Sequence, residues 1–397
     1  MRFQSYFNTA IKIIQLYDGA VPLHHFLKQF FSQHKKHGSK DRKIITHACY
    51  NFYRLGKSFT EKSIEEKLKI AIFLCNDNAG EWGFLYEDEW MNNWNTLLNE
   101  RIRFVKTKYT SFHLEDIFPF INEVSEGIDV DAFMQSFFIQ PNVFIRIRPH
   151  YYTDVVNKLQ EHKINFTVVD ENCLALPATS GIDSIINIDE EAVIQDYSSQ
   201  KTKEFLLPVK QEFENPTSEI VHHTSAWDCC AGSGGKSILA YDVFEKIKLT
   251  VSDVRSSIMH NLEKRFKKAQ LKNYKSFVAD VANNKFQIPN SGFNLIICDA
   301  PCTGSGTWSR TPEQLYFFQS EKIDEYALLQ QKIISNTIPL LQTNGYFLYI
   351  TCSVFKKENE EIVELIKKQF HLKLIKLELL KGYTKKADTM FAALFKK

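Results

Sequence analysis

Asp228-Cys229-Cys230-Ala231-Gly232-Ser233-Gly234-Gly235-Lys236-Ser237 follows a short apolar run, Ser225–Cys229, and leads into a stretch with helical spacing of apolar residues, Lys236–Phe244. Strand, glycine-rich turn and helix in that order form the opening unit of a phosphate- or nucleotide-type site. The glycines let backbone approach a ligand, and the helix presents free amides at its positive end. The same alternation continues downstream. Candidate strands lie at Leu249–Asp253, Ser276–Val278, Phe293–Cys298, Tyr346–Thr351, Leu372–Leu377 and Met390–Phe395, with helices at Ser257–Ala269, Lys322–Leu341 and Lys357–Phe370. This order predicts an α/β, doubly wound parallel sheet, whose ligands gather at the carboxyl ends of the strands. The loop glycines, Asp253, Asp280, Asp299, Cys302 and Cys352 all follow candidate strands directly.

Upstream the periodicity is different. Residues 1–125 read as a helical region, with helical spacing in Ile11–Tyr17, Leu23–Phe31 and Ile64–Leu74. Residues 126–200 read as a small α+β unit. Its clearest strand, Val143–Ile147, sets Val143, Ile145 and Ile147 on one face and Phe144, Arg146 and, beyond it, Arg148 on the other. An aromatic ring and two guanidiniums on one face can stack bases and grip phosphates, so this face is expected to bind RNA, with a purely structural role as the equal alternative. Residues 201–397 form the third, catalytic segment.

The 397-residue chain exceeds the ~250–300 residues of a single core. Hydrophobic residues make up 44% and charged residues 24%, a soluble globular balance. The net charge is only +2, so any nucleic-acid surface must come from local clusters. Two exist: Lys35, Lys36, Lys40, Arg42 and Lys43, and Arg255, Lys264, Arg265, Lys267, Lys268, Lys272 and Lys275. A solvated helix face accounts for either equally well. The eight cysteines include no C-x-x-C pair, which argues against a zinc site and a disulfide framework. No metal is expected. With neither a signal-type start nor a membrane-length apolar run, a cytoplasmic monomer without membrane contact is expected.

The cysteines carry the chemistry. Cys302, in Asp299-Ala300-Pro301-Cys302-Thr303-Gly304, and Cys352, in Thr351-Cys352-Ser353, both sit at strand ends in polar surroundings. There, turn amides and Lys236 could lower a thiol pKa. Cys49, Cys75, Cys173 and Cys298 read as small core hydrophobes. Asp253, at the end of the second strand, stands where an acid bonds ribose hydroxyls, and Asp280, at the end of the third, where one could meet an adenine amino group. Either could equally be a turn residue. A thiolate beside a nucleoside cofactor suits methylation of cytosine C5, since thiolate addition at C6 makes C5 nucleophilic. A P-loop nucleotidase is the rival, weakened because Cys230 stands where its first glycine belongs.

Residues from about 140 to 397 resemble the RNA 5-methylcytosine methyltransferases of the RsmB/RsmF (NOL1/NOP2/Sun) family. The cofactor loop Asp228–Ser237 matches with Gly232 for Ala, Ser233 for Pro and Ser237 for Thr. Asp299-Ala300-Pro301-Cys302, Thr351-Cys352-Ser353 with Glu358-Asn359, Val193–Gln200 and Asp388–Phe391 match further segments. The resemblance implies a Rossmann-like S-adenosylmethionine-dependent methyltransferase domain and a substrate in RNA, ribosomal RNA first and tRNA second. It implies that Cys352 attacks C6, Cys302 assists release, Asp299 holds the base edge, and Lys236 reaches the base. It also implies that Cys230, Ala231, Gly232, Ser233, Gly234, Gly235, Lys236, Asp253, Asp280 and Asp299 surround S-adenosylmethionine. Ser233 in place of proline is expected to loosen the loop. Gly38-Ser39-Lys40-Asp41-Arg42, with Tyr50 and Arg54, is similar to the NusB-like helical domain of RsmB-type enzymes. A catalytically idle RNA-binding or ribosome-assembly factor with the same fold is the alternative.

Overall fold

The computed structural model describes residues 2–95, 97–178, 180–214, 224–244, 246–283, 285–286, 288 and 292–397. The chain forms two compact units. One gathers Met1–Asn122, Ile128–Gln140 and Thr307–Ser320; the other gathers Glu123–Gly127, Pro141–Gly306 and Glu321–Lys397.

The first unit is helical, as the spacing of its apolar residues predicts. Helices Arg2–Leu16, Leu23–Gln33, Ser39–Arg54 and Ile64–Cys75 bury Phe7, Ile13, Leu27, Ile45, Phe52 and Leu68 in one core. Ser63 caps the last of these by accepting the Glu66 N–H at 3.2 Å. Arg54, only 1% exposed, donates to the carbonyls of Phe137 at 2.6 Å and Ile139 at 3.2 Å and to Gln140 Oε1 at 2.8 Å. This unit also takes in a helix from far along the chain, Pro312–Phe317, which the sequence reading assigned with residues 201–397. The Leu23 N–H donates to Glu313 Oε1 at 3.3 Å, and Tyr316 meets Tyr53 edge-on at 5.4 Å. Aromatic residues of Pro312–Phe317 thus find their apolar neighbours among the helices rather than on the sheet.

In the second unit, strands β1 (Val143–Ile147), β2 (Thr167–Asp170), β3 (Cys173–Leu176) and β4 (Ala192–Ile194) form a sheet in the order β2-β3-β1-β4. Ile145 and Ile147 pack on Val155 and Leu159 of the helix Tyr152–Glu161, so the predicted alternation of β1 is real. Its second face is not an RNA surface. Phe144 is 2%, Arg146 6% and Arg148 9% exposed. Arg146 pairs with Asp242 at 2.6 Å and Arg148 with the same carboxylate at 2.7 Å. Arg148 also donates to the Ala269 carbonyl at 2.7 Å. Alternation reports two faces but cannot tell water from a neighbouring helix, and here Gly235–Val243 supplies the carboxylate.

Seven further strands, β5 (Thr224–Asp228), β6 (Ile247–Asp253), β7 (Tyr274–Val278), β8 (Phe293–Asp299), β9 (Leu341–Thr351), β10 (Lys373–Leu380) and β11 (Met390–Lys396), form the main sheet in the order β10-β11-β9-β8-β5-β6-β7. β5 to β9 run parallel, but β11 runs antiparallel to both β9 and β10. The sheet is therefore mixed rather than wholly parallel. The order reverses between β5 and β8, so the loop after β5 opens at a topological switch point.

Two guanidiniums sharing one buried carboxylate should make Asp242 a keystone of this unit. Asp242→Ala should destabilise the second unit by ~3–5 kcal/mol, because it leaves two buried charges unpaired. Urea unfolding checks this, and a loss below about 1 kcal/mol would show the pair to be dispensable.

Candidate active site

The glycine loop is a rigid cradle. Gly234 adopts φ +84°, and a Cβ there would stand 2.6 Å from Phe266, so only glycine fits. The Ala231 N–H donates to Ser252 O at 2.9 Å, and the Gly234 N–H to Ala231 O at 2.9 Å. Ser233 is exposed, yet its carbonyl and hydroxyl accept from Arg265 at 2.8 and 3.1 Å. Arg265 is itself anchored on Asp189 at 2.7 Å. This restraint replaces the one that proline would provide.

Asp253 is buried at the end of β6, where it accepts the Gly232 N–H at 3.0 Å and the Arg255 N–H at 2.9 Å. Burial opposes its charge, but bonds from Arg255 and Gly232 outweigh that and hold its carboxyl below the usual range. A buried carboxylate acceptor thus lies beside a glycine loop at a helix N-terminus, a donor and acceptor set that fits a nucleoside cofactor. Asp280 is exposed and caps its own turn by accepting the Ala282 N–H at 3.1 Å. At the loop's base Asp228, fully buried, accepts from Ser237 Oγ at 2.6 Å, while its Oδ1 has no partner among the described residues. Burial pushes this carboxyl up to about 7.

Parallel pairing of β8 with β9 explains how two cysteines fifty positions apart meet. Asp299 lies opposite Ile350, and the Ala300 N–H donates to Ile350 O at 2.9 Å, so both strands end at one level. The sulfurs of Cys302 and Cys352 stand 3.2 Å apart and half-buried. The hydrogen bond with Cys352, followed by burial, pushes the Cys302 thiol up. The direction at Cys302 is opposite to the lowering that turn amides and Lys236 would produce. Lys236 reaches the same edge and pairs with Asp299 at 2.6 Å. Burial opposes its charge, but the Asp299 carboxylate, with smaller help from Cys352, keeps its ammonium above the usual range.

Sequence reasoning saw Glu358 only as part of a family segment, yet this residue fixes both thiol loops. Fully buried, it accepts the Thr303 N–H at 2.9 Å, Thr303 Oγ1 at 2.6 Å, Gln330 Nε2 at 3.1 Å and the Ser353 hydroxyl. Asn359 adds the Thr351 hydroxyl at 2.6 Å and the Ser353 carbonyl at 2.9 Å. Gly306 donates to Cys352 O at 2.9 Å, and a Cβ there would meet Thr389 O at 1.9 Å.

A Rossmann-like sheet with a glycine loop after its first strand and acids at the next strand ends is the fold of the S-adenosylmethionine-dependent methyltransferases. Residues 218–394 match the family model described as 16S rRNA methyltransferase RsmB/F. The ribosomal RNA small subunit methyltransferase B of Shewanella oneidensis is 27% identical over 174 residues, which cover 44% of this chain and 38% of that protein. That of Erwinia tasmaniensis is 30% identical, covering 33% and 30%. The chain thus spans well under half the length of these curated relatives. Among solved structures, PH0851 superposes with a TM-score of 0.69 at 19% identity, covering 99% of this chain and 98% of its own. NSun6 from Pyrococcus horikoshii with SFG gives 0.58 at 13%, covering 72% and 96%. At these identities the two structures speak for the fold alone.

The buried Asp228 carboxyl makes stability depend on pH in a direction opposite to that of most acids. The folded chain holds a proton up to about pH 7 that the unfolded chain releases near pH 4. Its contribution is therefore complete at low pH and is lost as pH rises through 7, with a slope of up to ~1.4 kcal/mol per unit. Asp228→Asn should flatten that decline in urea melts taken between pH 5 and 8. An unchanged slope would mean that Asp228 is ionised throughout.

Proposed function

We propose that the chain is an S-adenosylmethionine-dependent RNA (cytosine-5-)-methyltransferase acting on ribosomal RNA. The observation that carries this reading is the sulfur pair of Cys302 and Cys352, 3.2 Å apart, at the edge where Lys236 and Asp299 pair and the glycine loop opens. Residues Cys230 to Lys236 with Asp253 would hold S-adenosylmethionine, which supplies the methyl group.

As the family resemblance implies, Cys352, its proton given up to solvent, is the attacking sulfur, with Cys302 beside it at 3.2 Å. As Cys352 bonds to cytosine C6, electron density moves to C5 and prepares it to accept a methyl group. The Asp299 carboxylate accepts from the exocyclic amine and holds the ring at attack distance, while Lys236 balances its charge. Cys302, once its own proton has passed to solvent, takes the C5 proton. The C6–S bond then breaks and returns the Cys352 thiolate. A base in structured RNA must be turned out of its stack to reach this edge. With Arg146 and Arg148 buried, phosphate contact falls to the exposed Lys264, Lys267, Lys268 and Lys272.

Ribosomal RNA incubated with the protein and labelled S-adenosylmethionine should yield 5-methylcytidine on digestion. Asp253→Ala should weaken cofactor binding in calorimetry by ~1–3 kcal/mol, the cost of leaving polar groups unpaired. Label on another nucleoside would overturn the C5 assignment, and unchanged affinity in folded Asp253→Ala would remove this acid from the cofactor site.

A further inference from the structure

Three thiols outside the Cys302–Cys352 pair converge near the loop. Cys229 and Cys230 follow β5 directly, and Cys298 lies on β8, the strand hydrogen-bonded beside it. Their sulfurs all lie within 4.8 Å of one another. Cys229 and Cys298 are wholly buried and Cys230 is half-buried, which leaves one approach from the loop side. The backbone is fixed, since the Cys229 N–H donates to Ile297 O at 3.0 Å. Val281, Ile296, Ala300 and Ile334 belong to the same apolar cluster.

We propose that Cys229, Cys230 and Cys298 form a three-thiolate site for a soft, thiophilic d10 cation. A trigonal ion with metal–sulfur bonds of ~2.3 Å needs sulfurs ~4.0 Å apart, a spacing these thiols reach with little movement. No carboxylate or imidazole belongs to the cluster, and a dry, all-sulfur donor set selects soft ions over hard, oxygen-seeking ones. Binding replaces three S–H bonds with three metal–sulfur bonds and releases three protons. The ion would tie the end of β5 to β8 where the glycine loop leaves the sheet. The sequence argument against a metal rested on the missing C-x-x-C spacing, but parallel pairing brings together what spacing keeps apart.

The test uses cadmium as the probe and the full chain in a Cys302→Ser/Cys352→Ser background, which removes the competing thiol pair. We expect one cadmium per chain, with X-ray absorption showing three sulfur neighbours and three protons released. Adding Cys298→Ser should weaken binding at least tenfold and reduce the sulfur count. X-ray absorption without that substitution decides the matter even if the core variant fails to fold. Two or fewer sulfurs in the unsubstituted cluster, no stoichiometric uptake, or affinity indifferent to Cys298→Ser in a folded chain would each overturn the site.

Discussion

The buried carboxylate of Glu358 is the constraint on which the site depends. It takes hydrogen bonds from the Cys302 loop through Thr303 and from the Cys352 loop through Ser353, and so sets the spacing of the two sulfurs. Burial raises the Glu358 carboxyl above its ordinary range, offset by these donors in turn. A charge in this position is tolerated only where its donors are fully committed. Neighbouring residues would have to reorganise together if it were lost. That coupling makes the thiol pair a property of the fold rather than of two flexible loops.

Much of this was legible in the sequence because parallel α/β units write themselves in order. Each strand of the main sheet lay within a few residues of its expected place, and the loop, Asp253, Asp299, Lys236, Cys302 and Cys352 meet at one sheet edge as strand-end placement implied. Features that depend on what covers a face were not legible. Arg146 and Arg148 read as a nucleic-acid grip until Asp242 turned out to be their partner. The reversed direction of β11 leaves no local signature, since a strand looks alike in either sense.

Distance in sequence hid the rest. The helix Pro312–Phe317 joins a core built from the first third of the chain, and Glu358 acts on residues more than fifty positions upstream. Cys298 read as a core hydrophobe, yet β5 and β8 set it beside Cys229 and Cys230. Ser233 in place of the family proline looked like a weakness, but Arg265 supplies the missing restraint from another helix.

The central claim is a division of labour between two touching thiols, and peptide mapping of covalent protein–RNA adducts tests it most directly. With ribosomal RNA and S-adenosylmethionine, Cys302→Ala should accumulate an adduct whose RNA is attached to the peptide containing Cys352. Cys352→Ala should form none, and the unsubstituted chain should show little. An adduct trapped on Cys302 in Cys352→Ala, with none in Cys302→Ala, would contradict the account by reversing the two roles.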